Sequence, residues 1–528
     1  MSGSTPAAMA VAEHLIERPA LEVKNRGLLT LGVMLAMIMQ ILDTTIANVA
    51  LPHMQATLGA TFDTVTWVLT SYIIAAAVAT PLTGWLSDAL GSRRLFLLSV
   101  ASFIAASMAC GVATNLEEMV LFRFVQGVAG AFIGPLSQTV MLDMNEPSRQ
   151  PRAMAVWGMG IMIGPIMGPI IGGWLTENYN WRWVFYVNLP VGLIAFALIW
   201  WFLPGKPVSR RSFDLFGFSL LALGLSALQL MLDRGTDQDW FQSTEIWIEA
   251  LIAMSATWVF LIHLFTGKNT LLDRKLVTNP NMAMSLILMM ILGLMMTAVM
   301  ALMPPLLQRI YGYDVLDTGI LLAPRGVGVF VSMFIAGRLS GRFDPRYIIM
   351  TGMLIAAVSM WQMTQWSVVM GWEPIVISGT IQGLGMGLCF MPANMMAFAT
   401  LDPKYRTEGA SLLNLSRSLG GSVGISIVTA LLGRNTQASH QDLASHITAA
   451  SISPVDPSTA DRFGELGQAG MMMLNAEINR QALMIAYLDD FKLIVYILLC
   501  SLPVILIMKP PGRVAVPANR SASGAVGH

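Results

Sequence analysis

Long apolar blocks limit what this chain can fold into more than any other feature of its sequence. Runs bounded by charged residues or by Gly and Pro clusters give fourteen blocks, each of about 18 to 25 residues. At about 1.5 Å per residue, such a block crosses a hydrocarbon core of about 30 Å as a single helix. Only 12% of the residues are charged, whereas a soluble domain uses about 25%. The sequence therefore predicts an all-α polytopic membrane protein. The predicted spans are 27–51, 64–86, 94–113, 118–141, 154–175, 184–203, 214–232, 246–266, 281–302, 316–337, 347–366, 374–398, 408–432 and 489–508.

The distribution of Lys and Arg predicts how these spans are oriented. With the N-terminus in the cytoplasm, the inside segments hold 21 basic residues and the outside loops hold 6. Cytoplasmic loops carry an excess of Lys and Arg, so we expect both termini in the cytoplasm. One missed span would place every later loop on the opposite side of the membrane and would remove this bias. The bias therefore also supports the count of fourteen.

Several functional classes find no support in the sequence. The formal net charge is zero, so no basic field indicates nucleic-acid binding. Residues 420–424 match G-x-S-x-G by letters, but they lie inside an apolar helix with no strand before them. His440 and His446 lack the spacing of metal ligands, and no P-loop is present. We therefore expect no enzyme activity, no cofactor, no metal site and no nucleic-acid partner.

Three pairs of landmarks recur at nearly one offset, which indicates an internal duplication. The offsets are 253, 256 and 256 residues for GWLSD (84–88) with GRLSG (337–341), Gln126 with Gln382, and Gly164 with Gly420. Two copies of a six-helix unit, related by an axis along the membrane normal, are typical of transporters with a site near the midplane.

The duplication predicts how the chain is divided. We expect a cytoplasmic tail (1–26), an N-terminal six-helix bundle (27–204), an inserted two-helix linker (205–278), a C-terminal bundle (279–508) and a second cytoplasmic tail (509–528). The polar stretch 433–488 falls outside, between the last two spans. Part of it, from about Glu465 to Tyr487, could form an amphipathic helix that either docks a partner or lies on the surface.

Several motifs resemble those of the major facilitator family. GWLSDALGSRR (84–94) resembles the family's loop motif between helices two and three, although Ala89 and Ser92 replace residues that are usually basic. In the family this motif acts as a conformational latch. A carboxylate at a helix end can accept hydrogen bonds from a neighbouring helix, and arginines can bridge the halves. The latch residues that the resemblance implies are Gly84, Asp88, Gly91, Arg93 and Arg94.

The fourth and fifth spans carry two further resemblances. RFVQGVAGAFIGP (123–135) is similar to the family's fourth-helix motif, and GMGIMIGPIMGPIIGG (158–173) resembles a fifth-helix motif associated with antiporters. Glycines that recur every four residues form a smooth face on which another helix can pack closely, and Pro165 and Pro169 perturb the helix. The antiporter-helix residues are Gly160, Gly164, Pro165, Gly168 and Gly172.

Other segments resemble the 14-helix drug/proton antiporter branch and, within it, the EmrB-type efflux permeases. They are LDTTIANVALP (42–52), WRWVFYVNLPVG (181–192), LQLMLDRGTDQDWF (228–241) and MKPP (508–511). The resemblance covers essentially the whole chain. It implies a bacterial inner-membrane pump that works with a periplasmic membrane-fusion adaptor and an outer-membrane channel.

Charged residues inside the spans are the candidate site residues. An aspartate near the centre of a membrane helix costs about 2.5–3.5 kcal/mol, so Asp43 should face a partner or a cavity. Arg123 is the partner that the family resemblance implies. The pair either carries the coupling proton or is purely structural. Arg325 and Arg417 have no obvious acidic partner and either face the central cavity or pack between helices. The expected cavity residues are Gln126, Arg325, Met386, Phe390 and Arg417.

These observations favour a proton-driven exporter of lipophilic drugs or toxic compounds. Two alternatives remain open: export of one dedicated metabolite, siderophore or polyamine, and a membrane receptor or scaffold that transports nothing. The second alternative would not need the glycine face or the intramembrane charges.

Overall fold

The computed structural model describes residues 19–205, 208, 212–267, 269–340, 342–446 and 468–508. The tail 509–528, most of the tail 1–26 and the middle of the 433–488 stretch therefore lie outside the described residues, as does the side chain of Pro165. In the described part the secondary structure is helical, and its long helices are labelled α1 to α14. They are α1 Arg26–Leu58, α2 Trp67–Leu90, α3 Ser92–Val112, α4 Leu116–Asp143, α5 Pro147–Asn178, α6 Trp183–Phe202, α7 Leu215–Arg234, α8 Thr244–Thr266, α9 Pro280–Arg309, α10 Leu316–Leu339, α11 Pro345–Met363, α12 Glu373–Phe398, α13 Pro403–His446 and α14 Ala469–Ile507.

Short polar side chains set where several of these helices begin. Asn25 accepts a hydrogen bond from the N–H of Leu28 before α1, and Asn115 does the same for Glu118 before α4. These contacts satisfy backbone donors that the first turn of a helix leaves free. At its other end α1 stops at Gly59, whose φ of +65° is a left-handed conformation that glycine adopts without strain.

Thirteen of the helices in the described residues are long and apolar enough to cross a membrane. The remaining long helix, α11, has 19 residues and packs against α12 and α14, so it occupies the place of a further span. The all-helical membrane fold is confirmed, and the thirteen apolar helices together with α11 agree with the predicted count of fourteen. We call the face at which α1 begins and α14 ends the basal face, and the opposite face the distal face.

The long helices pack as two six-helix groups. In the N half (α1–α6), α1 packs against α5 and α6, and α4 packs against α2 and α3. In the C half (α9–α14), α9 packs against α13, and α12 packs against α10 and α11. The halves meet where α2 and α4 contact α13 and where α5 contacts α10 and α12. Because α2 corresponds to α10 and α5 to α13 in the duplication, the α2–α13 and α5–α10 contacts are equivalent.

A second pair of contacts follows the same duplication. In the N half the Thr45 hydroxyl donates to the carbonyl of Gly164 at 3.2 Å, and in the C half the Thr297 hydroxyl donates to the carbonyl of Gly421 at 3.1 Å. Each bond joins the first helix of a half to its glycine-rich fifth helix. The two halves are thus built from the same packing unit.

The helices α7 and α8 pack against each other, and α7 also contacts α2 and α13. Gln229 of α7 donates to the Ser422 hydroxyl at 2.9 Å, and Thr70 of α2 donates to Asp233 of α7. The inserted pair therefore contacts both halves. The exact division of the chain into a linker at 205–278 and two bundles stays a prediction.

The last two helices are much longer than their predicted spans. α13 continues to His446 and α14 begins at Ala469, whereas the predicted spans end at 432 and begin at 489. His440 and Asn475 share a hydrogen bond of 3.0 Å, so the two extensions run side by side. The described part of the predicted helix around 465–487 is helical, and it continues into the apolar part of α14 without a break. A helix does not have to end where its apolar block ends, since polar residues can continue it in water.

Candidate functional site: a buried ion pair, a closed basal face and two further arginines

The Asp43 carboxylate lies at the centre of a polar cluster inside the N half. It is 1% exposed, and it accepts hydrogen bonds from Arg123 Nη1 at 2.6 Å, Gln126 Nε2 at 2.8 Å and Asn188 Nδ2 at 2.7 Å. The donors come from α4 and α6, and Asn188 also donates to the Ser107 hydroxyl of α3. The cluster therefore ties α1, α3, α4 and α6 together.

Arg123 is enclosed on all sides. Its Nε donates to the carbonyl of Val68 at 3.1 Å, its Nη1 also donates to Gln126 Oε1, and its guanidinium lies 4.5 Å from the centre of the Tyr72 ring. Three donors on one carboxylate suit the ionised form of Asp43. A proton on this carboxylate would remove the negative charge that holds the Arg123 guanidinium.

The structure brings the predicted pair Asp43 and Arg123 into direct contact. It also places Gln126, predicted for the substrate cavity, in this cluster with no exposed surface. Asn188 and Ser107 were not predicted. Asn188 lies in the VNLP segment at the start of α6, and an amide next to a buried carboxylate carries no charge that would reveal it in a sequence.

Polar contacts join the two halves near the basal face. Arg406 of α13 forms an ion pair of 2.8 Å with Asp143 at the end of α4. The Ser411 hydroxyl of α13 donates to the carbonyl of Thr80 of α2 at 2.8 Å. Gln138 of α4 donates to Asn394 Oδ1 of α12 at 3.0 Å. In this conformation the basal side of the interface between the halves is closed.

Aromatic packing reinforces this closure. Phe390 of α12 stacks on Trp157 of α5, with ring centres 6.3 Å apart, and both side chains are buried. Met386, one turn away on α12, is also buried. The two residues predicted for the cavity on α12 thus lie within packed protein in this state, and Phe390 lies at the interface of the halves.

Arg325 and Arg417 form no ion pair in the described part of the chain. Arg417 Nη2 lies 3.4 Å from Asn414 Oδ1, and Arg325 Nη2 lies 3.5 Å from the carbonyl of Met296. The backbone of Arg417 packs on Gly293 of α9. Gly293 and Met296 are three residues apart, about 4.5 Å along a helix, so both arginines contact α9 at nearly the same depth.

The depth of Arg417 follows from Asn414, which donates to Gln138 Oε1 across the two halves at 3.1 Å. Because α13 runs from the basal to the distal face, Arg417 lies about one turn further toward the distal face. Arg417 therefore lies near the interface of the halves, just beyond the closure, and neither it nor Arg325 has a counter-ion in the described residues.

The residues predicted for the latch lie at the basal end of α2 and the start of α3. A Cβ on Gly84 would overlap the side chain of Glu408 of α13, so this glycine permits a close approach of the two halves. Arg93 instead donates to the carbonyl of Trp200 at 2.6 Å and lies over its ring, within the N half. Arg94 is exposed. Gly91 has a φ of +85° between α2 and α3, and Asp88 lies one turn before it.

The predicted glycine face of α5 packs on α1. At Gly160 an added Cβ would meet the flexible end of Met34, whereas at Gly168 it would overlap the Thr45 hydroxyl. Gly164 and Gly172 pack on Ile41 and Ile46 in the same way. The spacing of four residues thus serves one continuous helix contact, as predicted from its periodicity.

One buried carboxylate was missed by the sequence analysis. Asp490 of α14 has no exposed surface, and neither of its carboxylate oxygens has a hydrogen-bond partner in the described residues. Its ring neighbours on the same helix are Tyr487 and Phe491, both buried. Asp489 and Lys492 flank Asp490, so the segment looks like the charged border of a span. This pattern does not reveal that Asp490 faces inward.

Fourteen long helices, two equivalent halves and a buried ion pair within one half define a multi-pass membrane transporter built from two related units. The sequence model of the Major Facilitator Superfamily matches residues 33–425, and the chain belongs to this superfamily.

Similarity to individual proteins extends over nearly the whole chain. Multidrug export protein EmrB of Escherichia coli strain K12 is 32% identical over 504 residues, which is 94% of this chain and 98% of that protein. Multidrug export protein EmrB of Haemophilus influenzae is 34% identical, with 92% and 96% covered. Fatty acid resistance protein FarB of Neisseria gonorrhoeae is 32% identical, with 94% and 98% covered. These identities confirm the predicted resemblance to the EmrB-type permeases.

Solved structures of low identity share the fold. The human organic anion transporter MFSD10 superposes with a TM-score of 0.55 at 15% identity, over 89% of this chain and 99% of that one. The proton:xylose symporter XylE gives a TM-score of 0.57 at 12% identity, over 89% of this chain and 94% of that one.

Proposed function

We propose that the protein is a proton-driven antiporter that exports lipophilic compounds, and that it favours acidic over cationic ones. The observation that carries the proposal is the buried Asp43–Arg123 pair in a transporter fold. Two relatives are named for multidrug export, which supports export of varied compounds over a single metabolite.

Asp43 is the group that would bind the coupling proton. Its ionised form is held by three donors, and protonation would release Arg123 and loosen four helices of the N half. The N half would then pack differently with and without the proton, which is the requirement for coupling a proton to a conformational change. Proton entry is favourable because each charge that moves through about 100 mV supplies about 2.3 kcal/mol.

The preference for acids rests on Arg325 and Arg417. Neither guanidinium group forms an ion pair in the described residues, both arginines contact α9, and Arg417 lies next to Asn414, which bonds across the two halves. A guanidinium fork binds a carboxylate through two parallel hydrogen bonds, while two nearby positive charges repel a quaternary cation. The Neisseria relative is named for fatty acid resistance, and a fatty acid is a lipophilic acid.

The basal face is assigned to the cytoplasm, because the segments on that face carry most of the Lys and Arg residues. The protein would then lie in the inner membrane of a bacterium with both termini inside. On the distal side the extensions of α13 and α14 would enter the periplasm. There they offer a surface for the membrane-fusion adaptor that, together with an outer-membrane channel, the family resemblance implies.

Purified protein in liposomes tests the proposal. An imposed pH gradient should drive accumulation of a lipophilic carboxylic acid, and a protonophore should abolish that accumulation. A matched quaternary cation should be transported more slowly. Transport that continues after the proton gradient collapses would contradict proton coupling, and faster transport of the cation would contradict the acid preference. Photo-crosslinkers at positions 440 and 475 should capture the adaptor in native membranes; capture only from basal positions would contradict docking on these extensions.

A further inference from the structure

Gln138 and Asn394 occupy equivalent positions in the two halves and contact each other. They are 256 residues apart, the offset that also separates Gln126 from Gln382 and Gly164 from Gly420. In a molecule with an approximate two-fold axis, the midpoint between equivalent atoms lies on the axis. Equivalent residues that touch must therefore lie on either side of that axis. In this fold the axis runs along the membrane normal between the halves.

The pair lies where it can block passage along this axis. Gln138 is five residues before Asp143, the last residue of α4 at the basal face, which is about 7.5 Å along a helix. Gln138 is 0% and Asn394 2% exposed. Arg406–Asp143 and Trp157–Phe390 close the surrounding interface. The two amides thus form the axial part of the closure, and a solute moving along the axis has to pass between them.

The two amides belong to a chain of hydrogen bonds that crosses the interface twice. Asn414 of α13 donates to Gln138 Oε1, Gln138 donates to Asn394 Oδ1, and Asn394 donates to the carbonyl of Phe390 at 2.9 Å. Arg417 donates to Asn414 Oδ1 in the longest contact of the chain, at 3.4 Å. The chain leads from the Arg417 guanidinium group, which has no counter-ion in the described residues, to the axial amide pair.

From this arrangement we propose that Gln138 and Asn394 are positioning residues that hold the basal closure shut, and that Asn414 links them to Arg417. The inference rests on the proposed function, because it assumes that the halves separate at the basal face during transport. When they separate, water can satisfy both amides. In the closed state Gln138→Leu leaves Asn394 Oδ1, and Asn394→Leu leaves Gln138 Nε2, buried without its partner, so either substitution favours opening.

Chemical accessibility of one cysteine measures this equilibrium. Met333 of α10 is 0% exposed and packs on Gly158 of α5 across the interface. In a full-length chain whose native cysteines Cys110, Cys389 and Cys500 are replaced by alanine, Met333→Cys reports opening through its rate of reaction with a polar thiol reagent. The protein is kept in nanodiscs so that the reagent reaches both faces.

Gln138→Leu or Asn394→Leu should each raise this rate about fivefold, the equivalent of about 1 kcal/mol for one hydrogen bond. Gln229→Leu is the matched control. Gln229 is buried and donates across helices at 2.9 Å to Ser422, but this bond does not join the N half to the C half. The control should leave the rate unchanged.

The double exchange Gln138→Asn with Asn394→Gln keeps the total length of the two side chains on the axis. It should bring the rate back toward that of the parent protein, and it retains a well-folded variant if a leucine variant fails to fold. Rates in the leucine variants no higher than in Gln229→Leu, or a double exchange that labels as fast as Gln138→Asn alone, would overturn the proposal. The assay needs neither a substrate nor a proton gradient, so its failure is distinguishable from failure of the proposed export function.

Discussion

Replacing Asp43 by asparagine should separate two roles of the buried pair, stability and proton coupling. The substitution keeps an acceptor for Asn188 and Gln126 but leaves the Arg123 guanidinium, which is 1% exposed, without a counter-ion. Removing one partner of a buried ion pair costs about 3–5 kcal/mol. Since net stabilities are about 5–15 kcal/mol, we expect Asp43→Asn to lower the melting temperature and the yield of folded protein clearly.

A double variant separates the loss of proton coupling from the loss of stability that an unpaired Arg123 causes. Asp43→Asn combined with Arg123→Gln leaves no uncompensated charge. Its remaining loss is about 1 kcal/mol for each hydrogen bond, such as the one from Arg123 Nε to the carbonyl of Val68. We therefore expect the double variant to be more stable than Asp43→Asn alone. The comparison uses thermal unfolding of both purified proteins in the same detergent.

Transport is then measured in two modes with the double variant. Exchange of labelled for unlabelled substrate at equal pH needs no net proton movement and should continue. Accumulation driven by a pH gradient needs a group that takes up and releases a proton, and it should be lost. If the folded double variant still accumulates substrate under a pH gradient, Asp43 is not the coupling residue and the pair is structural.

Three further predictions follow from the same geometry. Arg325→Gln and Arg417→Gln should each reduce export of an acid more than export of a matched cation. An arginine about 8 Å from a bound cation repels it by about 2 kcal/mol, or about thirtyfold in affinity, and attracts a bound anion by a similar amount. Equal losses for both substrates in a transport assay would contradict this. Gly168→Ala should reduce the yield of folded protein, because the added Cβ would overlap a threonine hydroxyl of α1. The control Gly173→Ala should not reduce the yield, because no atom lies within 4 Å of a Cβ there. Size-exclusion profiles compare the two yields, and equal yields would refute the packing argument. Reporter fusions within 440–460 should give a periplasmic signal, and a cytoplasmic one would invert the orientation.

The fold could be predicted from the sequence because a membrane imposes a simple length requirement on apolar blocks. The Asp43–Arg123 contact could also be predicted, since an isolated charge in a membrane helix is costly and the family resemblance implied Arg123 as the partner. The sequence could not predict the contacts of the amides Asn188, Gln138 and Asn394. A neutral amide is tolerated at many positions of a membrane helix, and only the packing shows that one contacts a carboxylate or its own counterpart.

The ends of α13 and α14 escaped prediction for a different reason. Hydropathy detects where a segment leaves the hydrocarbon core, but polar residues such as those near His440 can continue a helix in water. Asp490 was overlooked because its charged neighbours mark the border of a span. Which of the charged residues Asp489, Asp490 and Lys492 faces the protein interior depends on the rotation of the helix, and sequence alone does not fix that rotation.

The length of α13 and α14 has a mechanical consequence. From Ala469 to about residue 488, α14 extends over about 30 Å, at about 1.5 Å per residue, before it reaches its apolar block. The hydrogen bond between His440 and Asn475 joins it to α13. Both extensions belong to helices of the C half, so we expect them to move together with that half. If that half rotates by about 15°, as rigid subunits do in known transitions, the tip sweeps through about 8 Å. A small tilt inside the membrane is thereby amplified outside it, and a protein attached at the tip would be displaced once in each cycle.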